Sequence, residues 1–417
     1  MARIRLQTVV AVFVVGVGLI VALVVGLFAY TSLTAPTLHP SVTDVPSVTE
    51  SAPLPRWSAA AEHGRQIVRA ALAEQNVPGV SVAVGVNGDI VWAEGFGWAD
   101  LESKAKVKPD TRFRIGTAST VLTSAGVALL LERGTLKLDD EIQTHVPEFP
   151  KKERPVTLRQ LMGHTAGVRN DGGDEGPLLG TRCERSVDGV KAIVEYSLLF
   201  EPGTQYRYSS YGWIVVSAAV EAAGGQRLFS FMRREIFEPL GMADTLPDSA
   251  AEQIPRRVTS YFPRFSADPR YGPDVMREID LSCYAGASAF LSTPSDLVRF
   301  GMAINGGSRL RQGSGAQELL QPATVQLLQT SQRLPSGEET GYGLGWDLET
   351  ATVAGQPTRV VGHDGDVLGG QVASLMTFPE HGGIVLAVMS NTSYADTHAL
   401  GLKIAEAFAG KGSPAGK

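Results

Sequence analysis

Three short stretches of this sequence hold the residue types that acyl transfer at a hydroxyl needs. That chemistry requires a hydroxyl nucleophile, a base for its proton, backbone donors for the oxyanion and a group that protonates the leaving atom. The first stretch, Phe113-Arg114-Ile115-Gly116-Thr117-Ala118-Ser119-Thr120, opens a run that stays almost wholly apolar to Leu131. Such a run predicts a helix buried on all sides, and Glu132-Arg133-Gly134 ends it with a charged turn and a glycine stop. A hydroxyl at the N-terminus of that helix lies where free N–H groups and the helix dipole favour developing negative charge. Taken alone, Thr117 reads more simply as an N-cap.

The second stretch is Glu201-Pro202-Gly203-Thr204-Gln205-Tyr206-Arg207-Tyr208-Ser209-Ser210-Tyr211-Gly212. Pro-Gly makes a turn, and the aromatic residues lead into an apolar helix from about Trp213. A phenol beside small hydroxyls at the head of a helix relays a proton if its pKa is lowered. By itself such a segment is more often core packing. The third stretch, Gly362-His363-Asp364-Gly365-Asp366, ends a β-run with glycine-rich sequence after it. Gly365 there admits substrate backbone close against the strand by β-augmentation. A lone His-Asp-Gly says little.

These residues must be positioned by elements that the rest of the pattern supplies. Residues 58–76 place Ile67, Val68, Ala71 and Leu72 at helical spacing, which predicts an amphipathic helix. Two Val-rich runs, Gly79 to Val86 and Asp89 to Phe96, flank Asn87-Gly88, whose positive φ suits a tight hairpin turn. Residues 110–310 read as mostly helical with long loops. Strands return at Thr358 to Gly362, Gln371 to Phe378 and Ile384 to Ser390, before a final helix over 395–409. Strands at both ends with a helical block between them predict one compound α/β domain: an antiparallel sheet formed by both termini, with the helices as an insertion packed against it.

Taken together and in this order, the three stretches carry the chain into a known family. It resembles the serine β-lactamases and penicillin-binding proteins, including class C β-lactamases, D-alanyl-D-alanine carboxypeptidases, related esterases and the mitochondrial β-lactamase-like branch with its bacterial relatives. The resemblance covers 58–410 and includes Arg114-Ile115-Gly116, Leu131-Glu132-Arg133-Gly134 with Leu136-Lys137-Leu138-Asp139-Asp140, and Val146-Pro147-Glu148-Phe149-Pro150. It continues through Leu161-Met162-Gly163-His164-Thr165-Ala166-Gly167, Pro202-Gly203 to Tyr208, Ala285-Gly286 and Phe290-Leu291-Ser292-Thr293. The resemblance implies an S-x-x-K, Y-x-N and K/H-T-G site. It puts Thr117 at the nucleophile position, Thr120 at the lysine position, Tyr208 on the catalytic tyrosine and Ser210 on the asparagine that holds the substrate amide. His363, Asp364 and Gly365 fall on the K/H-T-G strand, and the backbone N–H groups of Thr117 and Asp366 form the implied oxyanion hole. Ser119 joins the implied substrate-binding residues. His164 is expected to be structural and bonded to backbone.

Two departures bear on mechanism. Thr117 keeps a hydroxyl, but its extra methyl stiffens χ1 and crowds the attack. Thr120 is the harsher change, because a lysine three residues on is the neighbour that takes the nucleophile's proton and lowers the tyrosine pKa. Losing such a base costs about 10²–10⁴ in rate. No lysine lies between Lys108 and Lys137, so no shift of register restores the motif. Two readings follow: a hydrolase of weak or altered activity on an ester, amide or peptide of the cell envelope, but not an efficient β-lactamase, or a pseudoenzyme that binds peptide or peptidoglycan fragments without turnover. No His/Cys/Asp cluster has metal-ligand spacing, and no cofactor is expected.

Composition sets the surroundings. A formal net charge of −6 over 417 residues leaves no basic surface for nucleic acid. Residues 1–33 hold Arg3 and Arg5 ahead of an uninterrupted apolar run from about Thr8, long enough for the roughly 20 residues a bilayer needs. This predicts a single-pass signal anchor with its N-terminus cytoplasmic and the rest periplasmic or extracellular, with a long cleaved signal peptide as the alternative. Residues 34–57 are rich in Pro, Ser and Thr and read as an extended tether without a fold. The domain is expected over 58–410, with a flexible tail at 411–417. Cys183 and Cys283 are expected as two buried thiols, with a bridge between them as the alternative.

Overall fold

The computed structural model describes residues 2–50, 52–170, 178–250, 253–264, 268–306 and 318–409; the tail at 411–417 lies outside them. The first element, α1 (Ala2–Thr34), contains a stretch, Val10–Thr34, that is long and apolar enough to cross a membrane.

Asn87 and Gly88 take φ values of 52° and 87°, so they close a tight hairpin between β2 (Gly79–Val86) and β3 (Asp89–Asp100). The last part of the chain supplies β4 (Asp347–Val353), β5 (Gln356–Val367), β6 (Gly370–Phe378) and β7 (Ile384–Ser390). With β1 (Ser47–Thr49), they form one antiparallel sheet in the order β1-β3-β2-β7-β6-β5-β4. The join between the two ends of the chain is the β7–β2 pair, with Leu386 opposite Val84. Every residue of β2 and β7 is buried, as a strand covered on both faces requires.

Two helices cover one face: α2 (Ser58–Gln75) and α6 (Thr397–Ala409). There Phe408 packs between Trp57 and Trp92, with ring centroids 5.8 and 5.9 Å away. The other face carries the inserted region. Its centre is α3 (Ser119–Glu132), apolar all round and buried along nearly its whole length, packed against α4 (Ser210–Gly224). The amphipathic α5 (Pro294–Ile304) lies over β7 and β2. Short strands in this region, such as Phe113–Arg114 beside Phe290–Ser292, go beyond the mostly helical expectation.

Three further differences have physical causes. The segment read as an unfolded tether is docked: Leu38 N–H donates to Asn76 Oδ1, His39 Nε2 lies 3.0 Å from the Val77 carbonyl, Val45 is buried, and β1 pairs with β3. The open edge of β3 offers backbone partners that composition does not reveal. Cys183 and Cys283 are bridged rather than free thiols; folding brings Cα atoms 100 residues apart in sequence to 4.8 Å. Finally, β4 is an edge strand whose polar, half-open pattern carries no sequence signal of a strand.

Candidate active site

Close backbone contact between two glycine-bearing segments builds the centre. Gly116 has φ 51°, and a Cβ there would lie 2.2 Å from the Asp366 carbonyl. A Cβ on Gly365 would lie 2.0 Å from the Ile115 carbonyl. Only glycine fits at either place, so the turn before α3 lies directly on β5. Gly365, expected to admit a substrate backbone, instead makes room for the protein's own Ile115. Arg114, three residues before Thr117, is fixed by a buried ion pair with Asp248 at 2.6 Å.

This contact places the Thr117 hydroxyl in a backbone cradle. Its Oγ1 accepts from Asp366 N–H at 2.9 Å and donates to the Asp364 carbonyl at 3.2 Å. Thr117 makes no capping bond to the helix, so it is not an N-cap. A 3-10 turn over Gly116–Ala118 precedes α3 and turns the next residues inward. Ser119 and Thr120 are 0% exposed, and neither hydroxyl has a partner. Ser119 is therefore not at the substrate surface.

Tyr208 arrives on the loop before α4. Ser209 caps that helix through Gly212 N–H, and its own N–H donates to His164 Nδ1 at 3.1 Å. His164, at φ 57°, is the structural histidine expected from sequence; its ring lies 4.2 Å from that of Tyr208. Burial holds the His164 imidazole well below its ordinary pKa, so it stays neutral. The Tyr208 hydroxyl faces those of Thr117 and Ser210 but forms no well-shaped hydrogen bond with either. Burial, with Asp347 nearby, drives its pKa upward. A lysine at 120 would act in the opposite direction.

His363 is 5% exposed and held at both nitrogens. Nδ1 donates to the Asp364 carbonyl, and Nε2 lies 2.9 Å from the Tyr342 hydroxyl. Tyr342 belongs to Gly341-Tyr342-Gly343-Leu344-Gly345-Trp346, a glycine-aromatic alternation that could have marked it in the sequence. Asp364 faces the other way, as residue alternation along a strand dictates. Its carboxylate accepts from Ser374 at 2.6 Å and lies 3.0 Å from His398 Nδ1, on the α6 side of the sheet.

The carboxylates on the cleft are less well satisfied. Asp347 lies 3.8 Å from His363 Nδ1, and its side chain is 49% exposed. Desolvation in the cleft, then repulsion from Asp364, raises the Asp347 carboxyl, with His363 opposing. Asp366 shifts the same way, by desolvation and by Asp364. Both side chains keep solvent contact, so these shifts carry little energy. His398, by contrast, is raised to about 10 by hydrogen bonds to Asp364 and Glu349. Among the described residues, no group of three or more His, Cys, Asp or Glu is arranged for a metal ion.

The structure thus brings together Thr117, Tyr208, Ser210, His363 and the Asp366 N–H, while Ser119 and the Asp364 carboxylate lie elsewhere. A family model described as Beta-lactamase matches residues 65–410. The chain is 26% identical over 449 residues to the mouse (Mus musculus) serine beta-lactamase-like protein LACTB, mitochondrial, across 84% of this chain and 81% of that protein. It is 27% identical over 300 residues to penicillin-binding protein 4* of Bacillus subtilis (strain 168), covering 68% and 62%. Among solved structures it is similar to EstCE1, a hydrolase with promiscuous acyltransferase activity, at TM-score 0.67 and 20% identity, covering 84% of this chain and 98% of that one. It is also similar to the D-amino acid amidase of Ochrobactrum anthropi SV3, at TM-score 0.66 and 22% identity, covering 85% and 99%. These likenesses extend over the fold.

Proposed function

Because this chain belongs to the β-lactamase family of serine hydrolases, we propose that it is a membrane-tethered acyl-transfer protein of attenuated activity, with Thr117 attacking an ester, amide or peptide carbonyl in the cell envelope. The observation that carries this reading is the Thr117 hydroxyl in its cradle, accepting from the Asp366 N–H, the group this reading assigns to the oxyanion. Attack forms the Oγ1–carbon bond and frees the hydroxyl proton. Tyr208, kept as a phenol, can only relay: it accepts that proton as it passes its own to the departing alkoxide or amine. Without a positively charged neighbour such a relay is slow. Arg3 and Arg5 before the apolar helix favour a cytoplasmic N-terminus, with the domain on the far side of the membrane.

One observation favours a second reading. Thr117 donates its proton to a backbone carbonyl, not to a base, which suits a pocket that binds peptide fragments without turnover. The two separate on incubation of the detergent-solubilised full chain with a fluorophosphonate probe and a fluorescent penicillin, followed by intact-mass analysis and peptide mapping. The acyl-transfer reading expects a slow adduct on Thr117 that is absent from Thr117→Ala. No adduct, together with measurable peptide binding, supports the second.

A further inference from the structure

We propose that the cleft over Thr117 selects ligands bearing an ammonium group near the scissile carbonyl and rejects those bearing a carboxylate there. The proposal rests on the acyl-transfer reading of the same site, and concerns only which ligands that site admits. Asp366 is the residue whose N–H holds the Thr117 hydroxyl, and its side chain is exposed at that end of β5. Asp347 stands at the other end of the motif, 3.8 Å from His363. Among the described residues, neither is paired with an arginine or lysine.

Asp364 sharpens the point. Its carboxylate is two residues from Asp366 but already occupied by Ser374 and the protonated His398. The negative charge left over in the cleft is that of Asp347 and Asp366. It reaches the aromatic wall as well, since Asp347 acts on Tyr206, Tyr208 and Tyr342. The Tyr208 hydroxyl is buried without a well-formed hydrogen bond and offers an oxygen to a donor. Tyr206 is 37% exposed and offers a ring face. An ammonium would meet opposite charge, a phenol oxygen and π faces. A carboxylate would meet two like charges.

The test is calorimetric titration of the detergent-solubilised full chain with alanine p-nitroanilide, its N-acetyl derivative and its N-succinyl derivative. Near about pH 6.5 the first carries an ammonium, the second is neutral at the same position and the third carries a carboxylate. The expected order is ammonium over acetyl by roughly tenfold or more, with the succinyl ligand weakest. Raising salt from about 0.05 to about 0.5 M should shrink the spread, because added ions screen the carboxylates. An Asp347→Asn/Asp366→Asn variant of unchanged thermal midpoint should bring the three together; should that variant fold poorly, the salt series on the native chain decides. Equal binding, tightest binding of the succinyl ligand, or no binding of the ammonium ligand overturns the proposal. None of these results affects Thr117 labelling by a neutral probe, so the proposal and the acyl-transfer reading can fail separately.

Discussion

The two sides of β5 make an instructive pair. On the α6 side, Asp364 accepts from Ser374 and faces His398, whose second ring nitrogen lies 3.0 Å from Glu349. Carboxylate, imidazolium and carboxylate form a satisfied chain. On the Thr117 side the groups are as close but include no lysine or arginine: hydroxyls at 117, 120 and 210, phenols at 208 and 342, and a histidine held at both nitrogens. The sheet therefore places its imidazolium on the α6 side, and leaves the Thr117 hydroxyl donating to a backbone carbonyl with no base against it. What was lost with the lysine is charge; the scaffold around it persists.

The comparison can be broken from either side. The largest effect is expected from Gly365→Ala, which drives a Cβ to within 2.0 Å of the Ile115 carbonyl. Overpacking of this kind costs about 3 kcal/mol or more when backbone must move, so the thermal midpoint should fall and Thr117 labelling should vanish. His398→Gln comes next, at about 1.5–3 kcal/mol for hydrogen bonds to a charged group, read by chemical denaturation near neutral pH. Its pH dependence has a definite sign. The folded pKa of about 10 lies above the unfolded value of 6.5, so the stabilisation is complete below 6.5 and disappears as pH rises through 10. The native chain should lose stability across that window, and the variant should show a flatter curve.

Tyr342→Phe should cost about 1 kcal/mol, because it strips the partner from His363 Nε2. Denaturation measures that loss, and slower probe labelling would show that the histidine's position matters to Thr117. The smallest effect is expected from Thr120→Val. The Thr120 hydroxyl is buried and unpartnered, so its removal should stabilise the chain by up to about 1 kcal/mol. Labelling of Thr117 should be unaltered; a large drop would mean that Thr120 takes part in proton transfer.

Much of this was legible in the sequence because local chemistry and fold agree. Asn87-Gly88 forces the hairpin, the apolar run after Thr120 forces a buried helix, and three ordered motifs fix which loops must meet. What stayed hidden depends on geometry finer than motif spacing. Ser119 goes into the core because the 3-10 turn resets the helical phase by a fraction of a turn. Asp364 and His363 are neighbours in the motif yet point to opposite faces, which strand alternation alone could have shown. The bridge between Cys183 and Cys283 and the docking of residues 34–57 are long-range pairings that composition does not encode.

In the acyl-transfer reading, a competent frame lacks only its charge. The measurement that reaches it most directly is the rate of fluorophosphonate labelling in Thr117→Ser/Thr120→Lys against the native chain. The double variant should react faster by about 10²–10⁴, with the adduct on residue 117. Equal rates in a folded variant, or an adduct on another residue, would contradict it.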